Sequence, residues 1–573
     1  MKNVKSVAFS GYYLRGSSLG ETIFGRNIAS KEILVNFLKH TTAEELCFCY
    51  VEDYYQYQMI NRLYKKINRT HMSEKKLTLV NRIDLLQKNV KFDADIICDC
   101  VENFKQAIYL REYYSKQYSP ISIIIHCASQ VDAISNFLMP SVLMGLKPFD
   151  TFFCSSEAVK KVLEKQINEL CYNFKALYGL EIKPTFRMDV VPLGIDDEEF
   201  KPIDKKQARE LLNLPQNEFI ILYLGRVSAF FKGDILPLIR VVKNLCVNNP
   251  DKNIRLIIAG ADYNGFNDYK QIKQYISILG MDKNITLFES FDFNNRNVLY
   301  SASDVFTSPT DSIQETFGLT PLEAMACGIP QVVSDWNGYK ETIIHGTTGY
   351  KVPTYWCRCD EDISAYPDAL TEEFNSDRFY SHHLLAQSVA IDLIAYENYF
   401  QQLLDNEIMR NSMSKNSLEV FHNNYTLKKT IRSYETIWDE LVSIKNRITY
   451  NRESQLDLYN PNFFDMFSHY ATHILDEFTT FHITKLGYEL ILDEKIIPWH
   501  YPEEKLLNET KIAIKILADF SLRESFTMCD AIALYESTVN QSVIKRSVMW
   551  LFKQGFIELK SDAFVEIYKE IKI

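Results

Sequence analysis

Short apolar runs alternate along this chain with longer stretches whose apolar residues recur every three or four positions. Over the first 200 residues the runs fall near 5–10, 45–51, 77–81, 93–99, 120–126, 150–155 and 187–191, each the length of a buried strand. Helical patterns separate them, the first from about Glu21 to His40. This alternation predicts a doubly wound α/β domain with a parallel sheet. It restarts near residue 213 and continues to about 415, so the pattern predicts a second domain of the same class. The domains expected are 1–200, 201–450 and a mainly helical 451–573. Tyr355 to Tyr380 reads as an acidic inserted loop, and Ser388–Asn411 and Leu427–Ile448 read as helices. In the tail, Asn508–Leu559 predicts three helices, with Gly555–Lys560 and Ala563–Tyr568 as a small hairpin.

The most informative stretch is DVFTSPTDSIQETFGLTPLEAMACGIPQVVSDWNGYKETIIHGTTGYKVP, residues 304–353. Its first residues are β-rich and stop at Pro309, which cannot continue a sheet ladder. Leu319 to Cys327 has helical spacing; Pro321 suits only a first turn, and Gly328 and Pro330 close the helix. Gly318, Leu319 and Thr320 therefore offer backbone N–H groups at a helix start, which suits an anion. Glu315 lies just before that turn, with Phe317 between, and Glu323 lies one turn into the helix. Amides for a diphosphate and carboxylates for hydroxyls are what a sugar nucleotide needs. Either acid alone would equally suit simple compensation of the helix dipole.

Other segments carry candidate chemistry. The apolar run Phe219–Leu224 is followed by Gly225, Arg226 and the pair Lys232-Gly233, cations able to neutralise a diphosphate. His126 ends a buried-type strand, where a side chain faces the ligand crevice of an open sheet. Gly16, Ser17 and Gly20 lie in a glycine-bearing turn after the first strand, through which the backbone can approach a ligand closely. That turn is not the dinucleotide fingerprint.

The block ETFGLTPLEAMACGIPQVVS, with Glu315 and Glu323 seven residues apart, resembles the signature of the family-4 retaining glycosyltransferases of the GT-B fold. The following SDWNGYKETIIHGTTGYKVP and the linker-like VVPLGIDDEEFKP, from Val190 to Pro202, are similar to the same family. The resemblance implies two Rossmann-like domains facing a cleft, with the last helix of the second crossing back to the first. It implies that Glu315 and His126 hold the donor sugar, Glu323 the ribose, and Arg226, Lys232 and the Gly318–Leu319 amides the diphosphate. Gly16, Ser17 and Gly20 would meet the diphosphate or the acceptor, although the family commonly has adjacent glycines there. The activity implied is hexosyl transfer from a nucleotide sugar, UDP-linked by preference, to an acceptor hydroxyl with retention and without metal or other cofactor. The acceptor stays open among a glycan, a lipid-linked glycan, a small molecule and a protein. A GT-B sugar-nucleotide epimerase and a non-catalytic sugar-nucleotide scaffold are the alternatives.

Composition narrows the partners. A net charge of −11 over 573 residues argues against general nucleic-acid binding. Twelve cysteines scattered through apolar runs suggest a reducing, cytoplasmic setting, and Cys357-Arg-Cys359 lacks companion ligands at zinc spacing. The start MKNVKSVAFSGYY lacks a signal-peptide core, and no run approaches the ~20 apolar residues of a membrane span. Seven Lys/Arg between Arg62 and Arg82 leave peripheral contact with an anionic leaflet open, although a solvated helix face is the simpler reading. The tail pattern resembles a winged helix. Its third helix holds only Lys545, Arg546 and Lys553, too few cations for DNA, which leaves docking, dimerisation or, equally, a purely structural role.

Overall fold

The computed structural model describes residues 4–11, 25–51, 54–71, 75–81, 84–85, 90–102, 104–129, 138–143, 145–229, 231–261, 268–289, 295–361, 363, 380–448, 462–492 and 509–559. Gly16, Ser17 and Gly20 lie outside them, as do most of the inserted loop and the second strand of the expected tail hairpin.

Two compact units emerge, 1–81 with 91–450, and 82–90 with 451–573. The larger contains two parallel sheets. The first joins β1 (Ser6–Gly11), β2 (Glu45–Val51), β3 (Lys76–Asn81), β4 (Ile96–Asp99), β5 (Ile121–Ile125), β6 (Thr151–Cys154) and β7 (Arg187–Val190) in the order 3-2-1-4-5-6-7. The second joins β8 (Phe219–Leu224), β9 (Ile254–Ala259), β10 (Ile285–Phe288), β11 (Val305–Ser308), β12 (Gln331–Ser334) and β13 (Gly349–Val352) in the order 10-9-8-11-12-13. Counted within its own sheet, that order is again 3-2-1-4-5-6. Both are Rossmann-like, and together with the helical tail they form the expected GT-B class. In each sheet the order reverses between the first and fourth strands, which leaves a crevice at their carboxyl ends.

Continuous apolar runs became central strands because both faces of a parallel sheet are covered. All six residues of β8 are buried, as are all four of β11. Polar groups pin the strand starts: the Asp95 carboxylate accepts the Lys5 and Ser6 amides at 2.7 and 2.9 Å, holding β1 beside β4. Arg111, fully buried, meets Asp150 at 2.6 Å, and that carboxylate also accepts the Ile121 amide at the start of β5.

The helix Leu427–Arg447 covers the first sheet although it follows the second in sequence. Trp438 is fully buried, stacks on Phe37 at 5.3 Å, and donates its indole N–H to Ser122 Oγ of β5 at 2.9 Å. Tyr434 packs on Phe153 of β6 with ring centroids 4.4 Å apart. Glu435 accepts from the hydroxyls of Thr41 and Thr42, both at 2.8 Å, at the end of the helix Gly25–His40.

Two elements differ from expectation. Val389–Ile391 is a strand, β15, not part of a helix; it pairs antiparallel with β14 (Thr354–Trp356), and the helix begins only at Leu393, behind Asp392. Antiparallel pairing to a neighbour outweighs the local helical period. In the smaller unit β18 (Ile557–Leu559) pairs with β16 (Thr480–Ile483), which the sequence did not suggest, and β17 (Phe526–Thr527) completes the sheet. The helices Glu509–Phe520, Met528–Tyr535 and Gln541–Lys553 pack over it, and Lys545 is paired with Glu477 at 2.5 Å.

Helix Tyr54–His71 carries the basic stretch. Ile60 and Ile67 are buried in the core of its own domain, while Arg62, Lys65 and Lys66 are exposed. Among the described residues no helix is long and apolar enough to cross a membrane.

Candidate active site

The crevice of the second sheet opens where β8 and β11 end side by side, with Val305, Phe306 and Thr307 paired to Ile221, Leu222 and Tyr223. Gly225 and Arg226 continue from β8, and Pro309, Thr310 and Asp311 from β11. The loop after β8 folds over the end of β11: Thr310 Oγ1 donates to the Lys232 carbonyl at 2.5 Å. At Gly233 the two backbones nearly touch, and a Cβ there would lie 2.2 Å from Pro309 O. Only glycine permits this approach, which carries the Lys232 side chain across to β11.

Lys232 Nζ meets Glu315 Oε2 at 2.5 Å. The Lys232 side chain is 35% exposed and that of Glu315 10%. Burial opposes ionisation of Glu315, but the Lys232 ammonium and the Phe317 and Thr316 amides outweigh it, so the carboxyl titrates below its ordinary value. The acid is thus held as a carboxylate, with a cation beside it that remains accessible from the crevice. Arg226 lies with its guanidinium over the Phe231 ring at 5.5 Å, and its carbonyl accepts from the Tyr223 hydroxyl at 2.8 Å.

The chain then turns at Gly318 into helix Leu319–Ala326, capped by no side chain. Gly318 has φ +91°, and a Cβ would sit 2.1 Å from the Tyr339 ring, so the residue must be glycine. Phe317 is buried, Leu319 and Thr320 are half-buried, and the first amides of the helix point along its axis towards the turn. Glu323, one turn in, is 3% exposed. Its carboxylate accepts from Arg296 at 2.8 Å and from the Tyr300 hydroxyl at 2.8 Å. Burial pushes this carboxyl up, against the pull of Arg296 and Tyr300. Both oxygens therefore have protein partners, and their remaining lone pairs can accept further hydrogen bonds.

His126, from the first sheet, is brought to the same turn. Its backbone carbonyl accepts from Thr316 Oγ1 at 2.9 Å. Its ring Nε2 lies 3.0 Å from Cys100 O. A carbonyl only accepts, so Nε2 carries the proton. The Glu102 carboxylate accepts the His126 and Cys127 amides and fixes the end of β5.

The structure thus gathers Lys232, Glu315, Phe317, Gly318 and His126 around one turn, with Gly225 and Arg226 at the neighbouring strand end. Glu323, Leu319 and Thr320 extend from it along the helix. Three participants escaped sequence reasoning. Arg296 and Tyr300 sit four residues apart on the helix Arg296–Ala302 and face Glu323; their i, i+4 spacing was the available signal. Asp311 is 5% exposed; its Oδ2 accepts the Asp234 amide at 3.4 Å, and its Oδ1 has no hydrogen-bond partner among the described residues. Burial first, and the Asp234 carboxylate in addition, push Asp311 up to about 8. No cluster of three or more His, Cys, Asp or Glu suited to a metal ion occurs among the described residues.

Residues 204–366, which contain the part of the site contributed by the second sheet but not His126, match the family model described as Glycosyl transferases group 1. D-inositol 3-phosphate glycosyltransferase of Rhodococcus erythropolis is 28% identical over 262 residues, 44% of this chain and 56% of that protein. The enzyme of the same name from an Arthrobacter species is 33% identical over 165 residues, covering 29% and 38%. The chain thus spans about half, or less, of the length of the curated relatives it matches. Among solved structures, sucrose-phosphate synthase from Thermosynechococcus elongatus aligns over 77% of this chain and 100% of its own at 16% identity, with a TM-score of 0.48.

Proposed function

We propose that the chain is a glycosyltransferase that moves a hexosyl group from a nucleotide sugar, UDP-linked in the first instance, to an acceptor hydroxyl. The observation that carries this reading is the Lys232–Glu315 pair, 2.5 Å apart, set against an uncapped helix start at the switch point of a Rossmann-like sheet. The match of residues 204–366 to the group 1 family model supports it.

In this reading Arg226, Lys232 and the Gly318–Leu319 amides stabilise the charge that builds on the departing diphosphate. Such preorganised electrostatics is usually the largest catalytic contribution. Glu315 accepts from sugar hydroxyls as a carboxylate, and His126 approaches the sugar from the opposite domain. Glu323 holds the ribose as a third partner beside Arg296 and Tyr300. The acceptor oxygen attacks the anomeric carbon on the face the diphosphate leaves, the glycosidic bond to the diphosphate breaks, and a phosphate oxygen takes the acceptor's proton. Anomeric configuration is retained. The fixed cations and amides serve where other transferases use a metal. We read the tail unit as a winged-helix-like docking or dimerising module, since its helix Gln541–Lys553 is poor in cations and its Lys545 is already paired.

Incubation of the pure protein with UDP-, GDP- and ADP-sugars, with and without EDTA, tests the proposal through nucleotide release and thermal shift. Stabilisation or slow hydrolysis by one donor, unaffected by EDTA, is expected. Silence across all donors, with acceptors of each class present, would refute it and favour the scaffold reading.

A further inference from the structure

The two groups assigned to hold the donor sugar come from opposite domains, Glu315 from the second sheet and His126 from the first. Their separation is therefore set by how the domains meet, and the contacts that set it cluster on the residue after Glu315. Thr316 Oγ1 donates to His126 O at 2.9 Å, and the Thr316 carbonyl accepts from Ser156 Oγ at 2.8 Å. Ser156 is also the N-cap of the helix Glu157–Tyr178 in the first domain, accepting the Val159 amide at 3.2 Å. The next two amides of that helix, Glu157 and Ala158, donate to the two oxygens of Glu341, at 2.9 and 3.0 Å. Glu341 belongs to the second domain, on the short helix Tyr339–Thr342 whose Tyr339 ring lies against Gly318. His382 Nε2 also meets Ser129 O across the domains, at 2.9 Å.

A carboxylate that accepts the first amides of a 22-residue helix uses the positive end of its dipole. The arrangement is a helix N-cap supplied in trans. Each bond in it is polar and its outer members are exposed to water, so each is individually weak. Such contacts hold a closed arrangement without making it permanent. Because Thr316 is covalently next to Glu315 and bonded to the His126 backbone, forming these bonds and bringing the two sugar-binding groups into register are the same event.

We propose that Ser156, Thr316 and Glu341 form a cross-domain latch that registers Glu315 against His126 when the cleft closes. They are positioning residues, and the assignment rests on the transferase reading for its consequence in turnover. It does not rest on that reading for its geometry.

The test uses the full chain with two spin labels introduced as unnatural amino acids at exposed Lys161 and Lys415, one per domain. Thr316→Val and Glu341→Ala are expected to lengthen and broaden the interdomain distance distribution in the presence of UDP. Thr316→Ser, which keeps the hydroxyl, should restore the wild-type distribution. With a donor in hand, the first two variants should lower kcat by roughly tenfold to a hundredfold while KM for the donor changes little. Unchanged distances in both variants would overturn the latch, as would a kcat loss that Thr316→Ser fails to rescue. If no donor is turned over, the transferase reading fails on its own assay and the distances still decide the latch.

Discussion

Replacing Asp311 with Asn should stabilise this protein, and more so as the pH rises. Asp311 lies 5% exposed at the end of β11, with one oxygen unpartnered among the described residues and the Asp234 carboxylate nearby. Its folded-state pKa, about 8, stands well above the ordinary 3.8. The folded chain therefore binds this proton more tightly than the unfolded chain does. The stability linked to that proton is complete below pH 3.8 and is lost as the pH climbs through about 8. The gap is roughly four pH units, and at about 1.4 kcal/mol each it sets a ceiling of roughly 6 kcal/mol on the loss. Asn keeps the shape and an oxygen for the Asp234 amide but never ionises, so it escapes that loss. Urea unfolding of both proteins at pH 4, 6 and 8 measures it. The expected difference is near zero at pH 4 and at least about 1 kcal/mol in favour of Asn at pH 8. A variant no more stable than wild type at pH 8, or a difference independent of pH, would refute the account.

Three further outcomes follow from the site and the core. Glu315→Ala should fold normally and lower transfer by roughly two to three orders of magnitude, read as initial rates with the preferred donor. Lys232→Ala should raise the pKa of Glu315, because burial is then no longer outweighed; carbon NMR of the labelled carboxyl would show the titration midpoint move up, and a fall would count against the pair. Asp150→Ala should destabilise the protein by up to roughly 3–5 kcal/mol in chemical unfolding, since it removes the carboxylate 2.6 Å from the fully buried Arg111 and leaves Glu112, at 3.3 Å, as the weaker counter-charge.

The strands of both sheets were legible because parallel strands with helices on both faces must be apolar almost throughout, as β5 and β8 are. The turn that carries Glu315, Gly318 and Glu323 was legible because proline and glycine punctuate it. What escaped depends on partners distant in sequence. Val389–Ile391 continues a helical period and became a strand only through pairing with Thr354–Trp356. Glu323 meets Arg296, 27 residues earlier, and Ser156 meets Thr316, 160 residues later. Asp311, between Thr310 and Ser312, has the composition of an ordinary turn, and only its burial sets it apart.

The placement of Trp438 and Tyr434 on the first sheet has a consequence for biosynthesis. The sheet that begins at Ser6 is not covered until the ribosome has delivered the helix ending at Arg447. Until then Phe37 and Phe153 lack the aromatic rings that shield them. The amino-terminal domain must therefore wait, its greasy flank unsheltered, while the codons for the second sheet, from Phe219 to Val352, and those leading on to Leu427 are translated. A nascent chain stalled before Leu427 should be a client for chaperones that bind exposed aromatic surface, and one stalled well past Arg447 should not.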